Sequence, residues 1–112
     1  MFQVSGGSIT KTTTTSQQGV AITIPDGAGV DTSSAGYAPA TISVMIGLNS
    51  TVTWVNQDTA PHTVTAKGGS FNSLNLEPGK SFTYTFTVPG TYTYYCLYHS
   101  WMKGEVKVVA MH

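Results

Sequence analysis

The sequence predicts an all-β domain, a Greek-key β-sandwich of seven to eight short strands. Three observations carry this. Charged residues make up 9% of the chain and apolar residues 40%, with many Thr and Gly and no Glu–Lys–Leu helical pattern. Short β-branched and aromatic runs follow one another closely. Turn chemistry such as Pro25-Asp26-Gly27, Gly68-Gly69, Pro78-Gly79 and Pro89-Gly90 separates them.

Taken in order, Phe2 to Gln18 is rich in Ser, Thr, Gly and Gln, including Thr12-Thr13-Thr14-Thr15, and reads as a flexible tether or an edge strand. Residues 1–18 are therefore set apart as a lead-in, with the domain proper over 19–112. Val20 to Ile24 is a β-branched run ended by a turn, and Asp31 to Pro39 is loop. Thr41 to Ile46 alternates, stops at Gly47, and resumes as Thr51 to Asn56, which predicts a hairpin with one buried face. His62 to Thr65 is a brief strand. Ser81 to Thr87 places Phe82, Tyr84 and Phe86 on one face, and Thr91 to Cys96 does the same for Tyr92, Tyr94 and Cys96. Glu105 to Val109 pairs Val106 with Val108. No helix longer than a turn or two is expected, and Tyr92 is a candidate tyrosine corner.

At 112 residues the chain is one domain, large enough to fold without staples. Its single cysteine excludes an internal disulfide and leaves a buried thiol, a nucleophile, a metal ligand or an intermolecular link. Zero formal net charge and no basic stripe argue against nucleic acid as a partner. No apolar run of about 18 residues offers a membrane span. No export signal opens the chain, so Met1 reads as a start residue on a processed form.

The informative segment is Cys96-Leu97-Tyr98-His99-Ser100-Trp101-Met102. Cysteine, histidine and methionine recur every third residue just past a predicted strand, where a turning loop can bring them to one centre. Thiolate and thioether favour copper, especially Cu(I), and imidazole suits both copper states. A trigonal His₂Cys site with a weak axial Met needs a second imidazole, and His62, after Pro61 at a turn-to-strand junction, is the candidate. The remaining histidine, His112, ends the chain and reads as a frayed terminus or tag remnant. Zinc makes little use of a thioether. A c-type haem needs CxxCH and a binuclear copper centre needs two cysteines in its loop, and neither is present. Nor is there a Ser-His-Asp grouping or a Gly-rich phosphate loop.

The CxxHxxM loop, the upstream Asn56-x5-His62 ending in Pro61-His62, and the Phe86…Pro89-Gly90-Thr91-Tyr92…Tyr94…Cys96 lead-in resemble the cupredoxin family over Ala38 to Val109. The short ligand loop is similar to that of amicyanin, and the pattern is also similar to the plastocyanin-like proteins of archaea. The resemblance implies one Cu(I)/Cu(II) ion, with His62, Cys96 and His99 equatorial and Met102 axial. It further implies that Asn56 holds the ligand loop beside the cysteine and that the Thr63 amide donates to the cysteine sulfur. His99 would be the surface-side ligand, the exit for electrons and the place where redox protein partners dock.

Three functions follow. The first is a one-electron carrier between redox partners. The second is an open copper site doing redox chemistry on a small molecule such as nitric oxide or another nitrogen compound. It is motivated by Tyr98 and Ser100 standing where many relatives carry proline and by small Ala60 before Pro61, with Trp101 as the alternative cover. The third is copper storage or delivery. An unpaired thiolate ligand suggests an exported chain, periplasmic or extracellular, with tethering through a segment absent from this sequence as one arrangement.

Overall fold

A computed structural model describes residues 19–110. The lead-in over 1–18 and His112 lie outside the described residues. Seven strands form: β1 (Val20–Ile24), β2 (Thr41–Met45), β3 (Thr51–Asn56), β4 (Thr65–Ala66), β5 (Ser81–Thr85), β6 (Gly90–Tyr95) and β7 (Lys103–Val109). They make a three-stranded sheet, β1-β3-β5, and a four-stranded sheet, β2-β7-β6-β4. No helix occurs among the described residues.

Alternation drives the burial. In β3, Val52, Trp54 and Asn56 point inward and the residues between them are only partly covered. On the outer face, hydroxyl pairs Thr51–Thr85 (3.0 Å) and Thr53–Thr83 (2.8 Å) bridge β3 to antiparallel β5. β7 buries Val106 and Val108 as expected. Aromatic rings fill the space between the sheets. Trp54 meets Tyr94 edge-on at 5.4 Å and Phe71 at 5.7 Å, and Tyr37 meets Tyr94 at 4.8 Å. Each fully buried large side chain of this kind contributes about 1.5–3 kcal/mol. Tyr92 donates its hydroxyl to Val88 O at 2.5 Å, four residues back, as a tyrosine corner does.

The expected β2–β3 hairpin does not form. β2 pairs in parallel with β7, whereas β3 pairs in parallel with β1 and antiparallel with β5. The turn between them hands the chain from one sheet to the other. Gly47 takes φ +85°, Leu48 and Asn49 donate backbone N–H groups to Met45 O, and Asn49 Oδ1 accepts from Met45 N. An alternating pattern fixes which face of a strand is buried, and it carries nothing about which neighbour completes the ladder.

Candidate metal centre

The centre lies where β6 runs out. Tyr95 is the last residue of that strand, and Cys96 opens a loop that returns to β7. The loop is closed by its own backbone, with Cys96 N donating to Met102 O (3.3 Å) and Met102 N to His99 O (3.0 Å). A segment so closed keeps Cys96, His99 and Met102 together, where a continuing strand would spread them at about 3.3 Å per residue.

His62 reaches the same place from the other side. Its backbone bridges Leu76, with His62 N donating to Leu76 O and Leu76 N to His62 O. One donor atom each from His62, Cys96 and His99 lies within 4.8 Å of the others. Both Nδ1 atoms face the sulfur, His62 at 3.7 Å and His99 at 3.5 Å from Cys96 Sγ. His62 and Met102 are fully buried, Cys96 is 1% exposed, and His99 is half-buried. Met102 packs under Gly36, whose φ is +82° and where a Cβ would stand 2.4 Å from Met102 Cγ. Two imidazoles, a thiol and a thioether, with only the His99 ring half-buried, form a donor set suited to copper.

Neighbouring groups hold these side chains still. Thr63 N donates to Cys96 Sγ at 3.5 Å, and Thr63 Oγ1 accepts from Leu97 N at 2.9 Å, so one residue tethers both the sulfur and the start of the loop. Tyr37 Oη donates to Thr63 O at 2.6 Å. Asn56 departs from the role the resemblance implied. Its Nδ2 donates to Ala60 O and Leu76 O, and its Oδ1 accepts from Asp58 N, so it organises the His62 approach rather than the cysteine side. Pro61 is exposed just before His62, and Ser100 is exposed beside His99. Trp101 packs at 5.2 Å from the His99 ring and donates Nε1–H to Ala28 O.

Two features escaped the sequence. Asp58 Oδ2 lies 2.7 Å from His62 Nε2. Burial alone would raise this carboxyl, but hydrogen bonds from His62 and from the Gly27, Gly29 and Thr59 amides outweigh it and hold it well below the usual carboxylate range. The loop after β1 also covers the centre. A Cβ on Gly29 would lie 3.1 Å from Asp58 Oδ2, 3.2 Å from His99 Nε2 and 3.3 Å from His62 Cε1, tight enough that these groups would have to shift by a few tenths of an ångström to admit it. Burial lowers the His99 pKa, and the nearby His62 lowers it further, against an opposing pull from Asp58. The available signals were an acid four residues before the histidine and the spacing Gly27-x-Gly29. Neither says, without a fold, that two loops about thirty residues apart meet.

A family model described as a cupredoxin-like domain matches residues 4–108. The chain is 37% identical over 73 residues to amicyanin-alpha of Methylorubrum extorquens, covering 61% of each protein. It is 34% identical over 91 residues to amicyanin of Paracoccus denitrificans, covering 76% of this chain and 68% of that one. The chain thus spans about three fifths to two thirds of the length of these curated relatives. A solved structure described as a novel purple cupredoxin from Nitrosopumilus maritimus superposes with a TM-score of 0.68 at 36% identity, over 80% of this chain and 98% of that one.

Proposed function

The chain belongs to the cupredoxin-like family, and we propose that it is a mononuclear type 1 copper protein carrying one electron at a time between redox partners. The observation that carries this reading is the convergence of His62, Cys96 and His99 donor atoms within 4.8 Å in a buried setting. Met102, on the same closed loop, is the proposed fourth ligand. Copper held there supplies a one-electron couple between Cu(I) and Cu(II), to which sulfur and imidazole donors are both suited.

The protein's own part is to keep the ligands in one geometry. Thr63 anchors the sulfur, the Cys96–Met102 backbone bond closes the loop, and Trp101 braces His99. Ligands that cannot move need little rearrangement when the charge changes. His99 is the ligand nearest solvent. Leu97 and Tyr98 beside it are half-exposed, and Val30 follows Gly29 on the covering loop. These apolar groups make that rim the docking face for a redox partner. No helix among the described residues is long and apolar enough to cross a membrane, and the proposed location is periplasmic or extracellular.

Voltammetry on the protein loaded with one copper tests the reading. A carrier gives a reversible one-electron wave and keeps its metal through reduction in the presence of a chelator. Loss of the metal on reduction would instead point to storage or delivery.

A further inference from the structure

Asp58 and His62 form a hydrogen-bonded pair, Oδ2 to Nε2 at 2.7 Å. It is buried, with Asp58 5% exposed and His62 fully covered. All four contacts of the carboxylate are with N–H groups or the imidazole. Oδ1 accepts from Gly27 N (2.9 Å) and Thr59 N (2.8 Å), while Oδ2 accepts from Gly29 N (2.9 Å) and lies 2.7 Å from His62 Nε2. An ionised carboxylate can only accept hydrogen bonds. The His62 proton therefore belongs on Nε2, and the lone pair of the neutral ring falls on Nδ1, the atom that faces Cys96 Sγ at 3.7 Å.

Resting on the copper reading above, we propose that Asp58 is a positioning residue for the metal centre. It fixes His62 as the Nε2–H tautomer with Nδ1 free to ligate, and its buried negative charge favours the oxidised ion over the reduced one. The first effect follows from donor and acceptor matching, the second from Coulomb attraction in a site with little water to screen it. The clamp is built from two loops. Asn56 Oδ1 accepts from Asp58 N, which sets the Asp58 turn, and the loop after β1 brings the Gly27 and Gly29 amides. A Cβ on Gly29 would press on Asp58 Oδ2 at 3.1 Å, so glycine keeps that approach unstrained.

Asp58→Asn preserves shape and removes the charge, and neither amide orientation fits. With the nitrogen in place of Oδ1, it faces two backbone N–H donors. With the nitrogen in place of Oδ2, it opposes Gly29 N–H and donates to His62 Nε2, driving the ring proton to Nδ1, where it blocks ligation.

The test begins on metal-free wild type at mildly alkaline pH, where ¹⁵N NMR of the His62 ring should show Nε2 protonated and Nδ1 bare. The opposite tautomer would overturn the proposal, and this measurement stands even if the variant does not fold. In Asp58→Asn, the Nδ1–H form should grow. Affinity for zinc, used as a redox-inert probe, should fall about tenfold or more. The potential of the copper-loaded variant should rise by about the 59 mV that corresponds to a tenfold change in a one-electron couple. Unchanged tautomer, zinc affinity and potential in a folded variant would overturn the proposal while leaving the copper reading intact. A wild type that takes up no copper would overturn the copper reading, and the tautomer and zinc results would still judge Asp58.

Discussion

Replacing Gly36 with alanine should dislodge Met102. The added Cβ would stand 2.4, 2.8 and 3.0 Å from Met102 Cγ, Cε and Cβ, closer than carbon atoms approach. Met102 is fully buried and cannot swing into solvent to make room. Two penalties combine. A non-glycine residue at φ +82° costs about 1–2 kcal/mol, and overpacking a dense site costs about 1–3 kcal/mol more. Gly69 separates them, since its φ is +85° and a Cβ there meets nothing within 4 Å. Gly69→Ala should therefore bear only the backbone penalty. With each kcal/mol lowering Tm by about 4–8 °C in a domain near this size, Gly36→Ala should melt clearly below Gly69→Ala. The assay is thermal unfolding of the metal-free proteins by circular dichroism, with the visible spectrum of the copper-loaded forms recorded alongside. Equal melting of the two variants, with an unaltered Gly36→Ala spectrum, would refute the packing of Met102 against Gly36.

Tyr37→Phe should cost about 1–2 kcal/mol in denaturant unfolding, because it leaves the buried Thr63 carbonyl without its 2.6 Å partner. Tyr94→Phe should cost less, since buried Tyr94 Oη has no well-formed hydrogen bond and only a weak approach to the Trp54 side chain, and equal costs would contradict this. Acid should weaken the metal-free protein in two windows. The lowered His99 pKa means the unfolded chain takes that proton first, so stability falls as pH drops through about 6.5. The depressed Asp58 carboxyl stabilises the fold above its unfolded value of about 3.9, and that contribution is lost as pH falls toward the folded value. Unfolding titrations of His99→Asn and Asp58→Asn should flatten the upper and lower windows respectively, and an unchanged profile would contradict the assignment. Azide should perturb the visible spectrum of copper-loaded Trp101→Ala more than wild type and that of Ser100→Pro less, because Trp101 braces His99 and proline adds apolar cover beside it. Equal responses in all three would place access elsewhere, past Ala60.

Much of this was legible in the sequence because its signals are local. The spacing of Cys96, His99 and Met102 fits a single tight loop, and strand alternation put Tyr94 with Cys96 and Val106 with Val108 on shared faces, all four of which are buried. Pairing was less legible. Nothing in Thr41 to Asn56 says that β2 will join β7 while β3 joins β1, since each partner is distant in sequence. The Asp58 clamp was hidden for the same reason, because its donors at Gly27 and Gly29 belong to a loop with no periodicity. Asn56 was expected to hold the cysteine side, whereas its hydrogen bonds run to Ala60, Leu76 and Asp58. A buried amide at a strand end must satisfy its hydrogen bonds, but which carbonyls it meets depends on how the following loop turns back.

Copper titration of the metal-free protein, followed by visible absorption in wild type and Cys96→Ser, bears most directly on the copper centre. Wild type should saturate at one equivalent with an intense visible band, the signature of charge transfer from a thiolate. Cys96→Ser should lose that band even where copper still binds, because an alcohol is a far poorer electron donor. A colourless wild type, or a Cys96→Ser protein that keeps the band, would contradict a copper centre built on His62, Cys96, His99 and Met102.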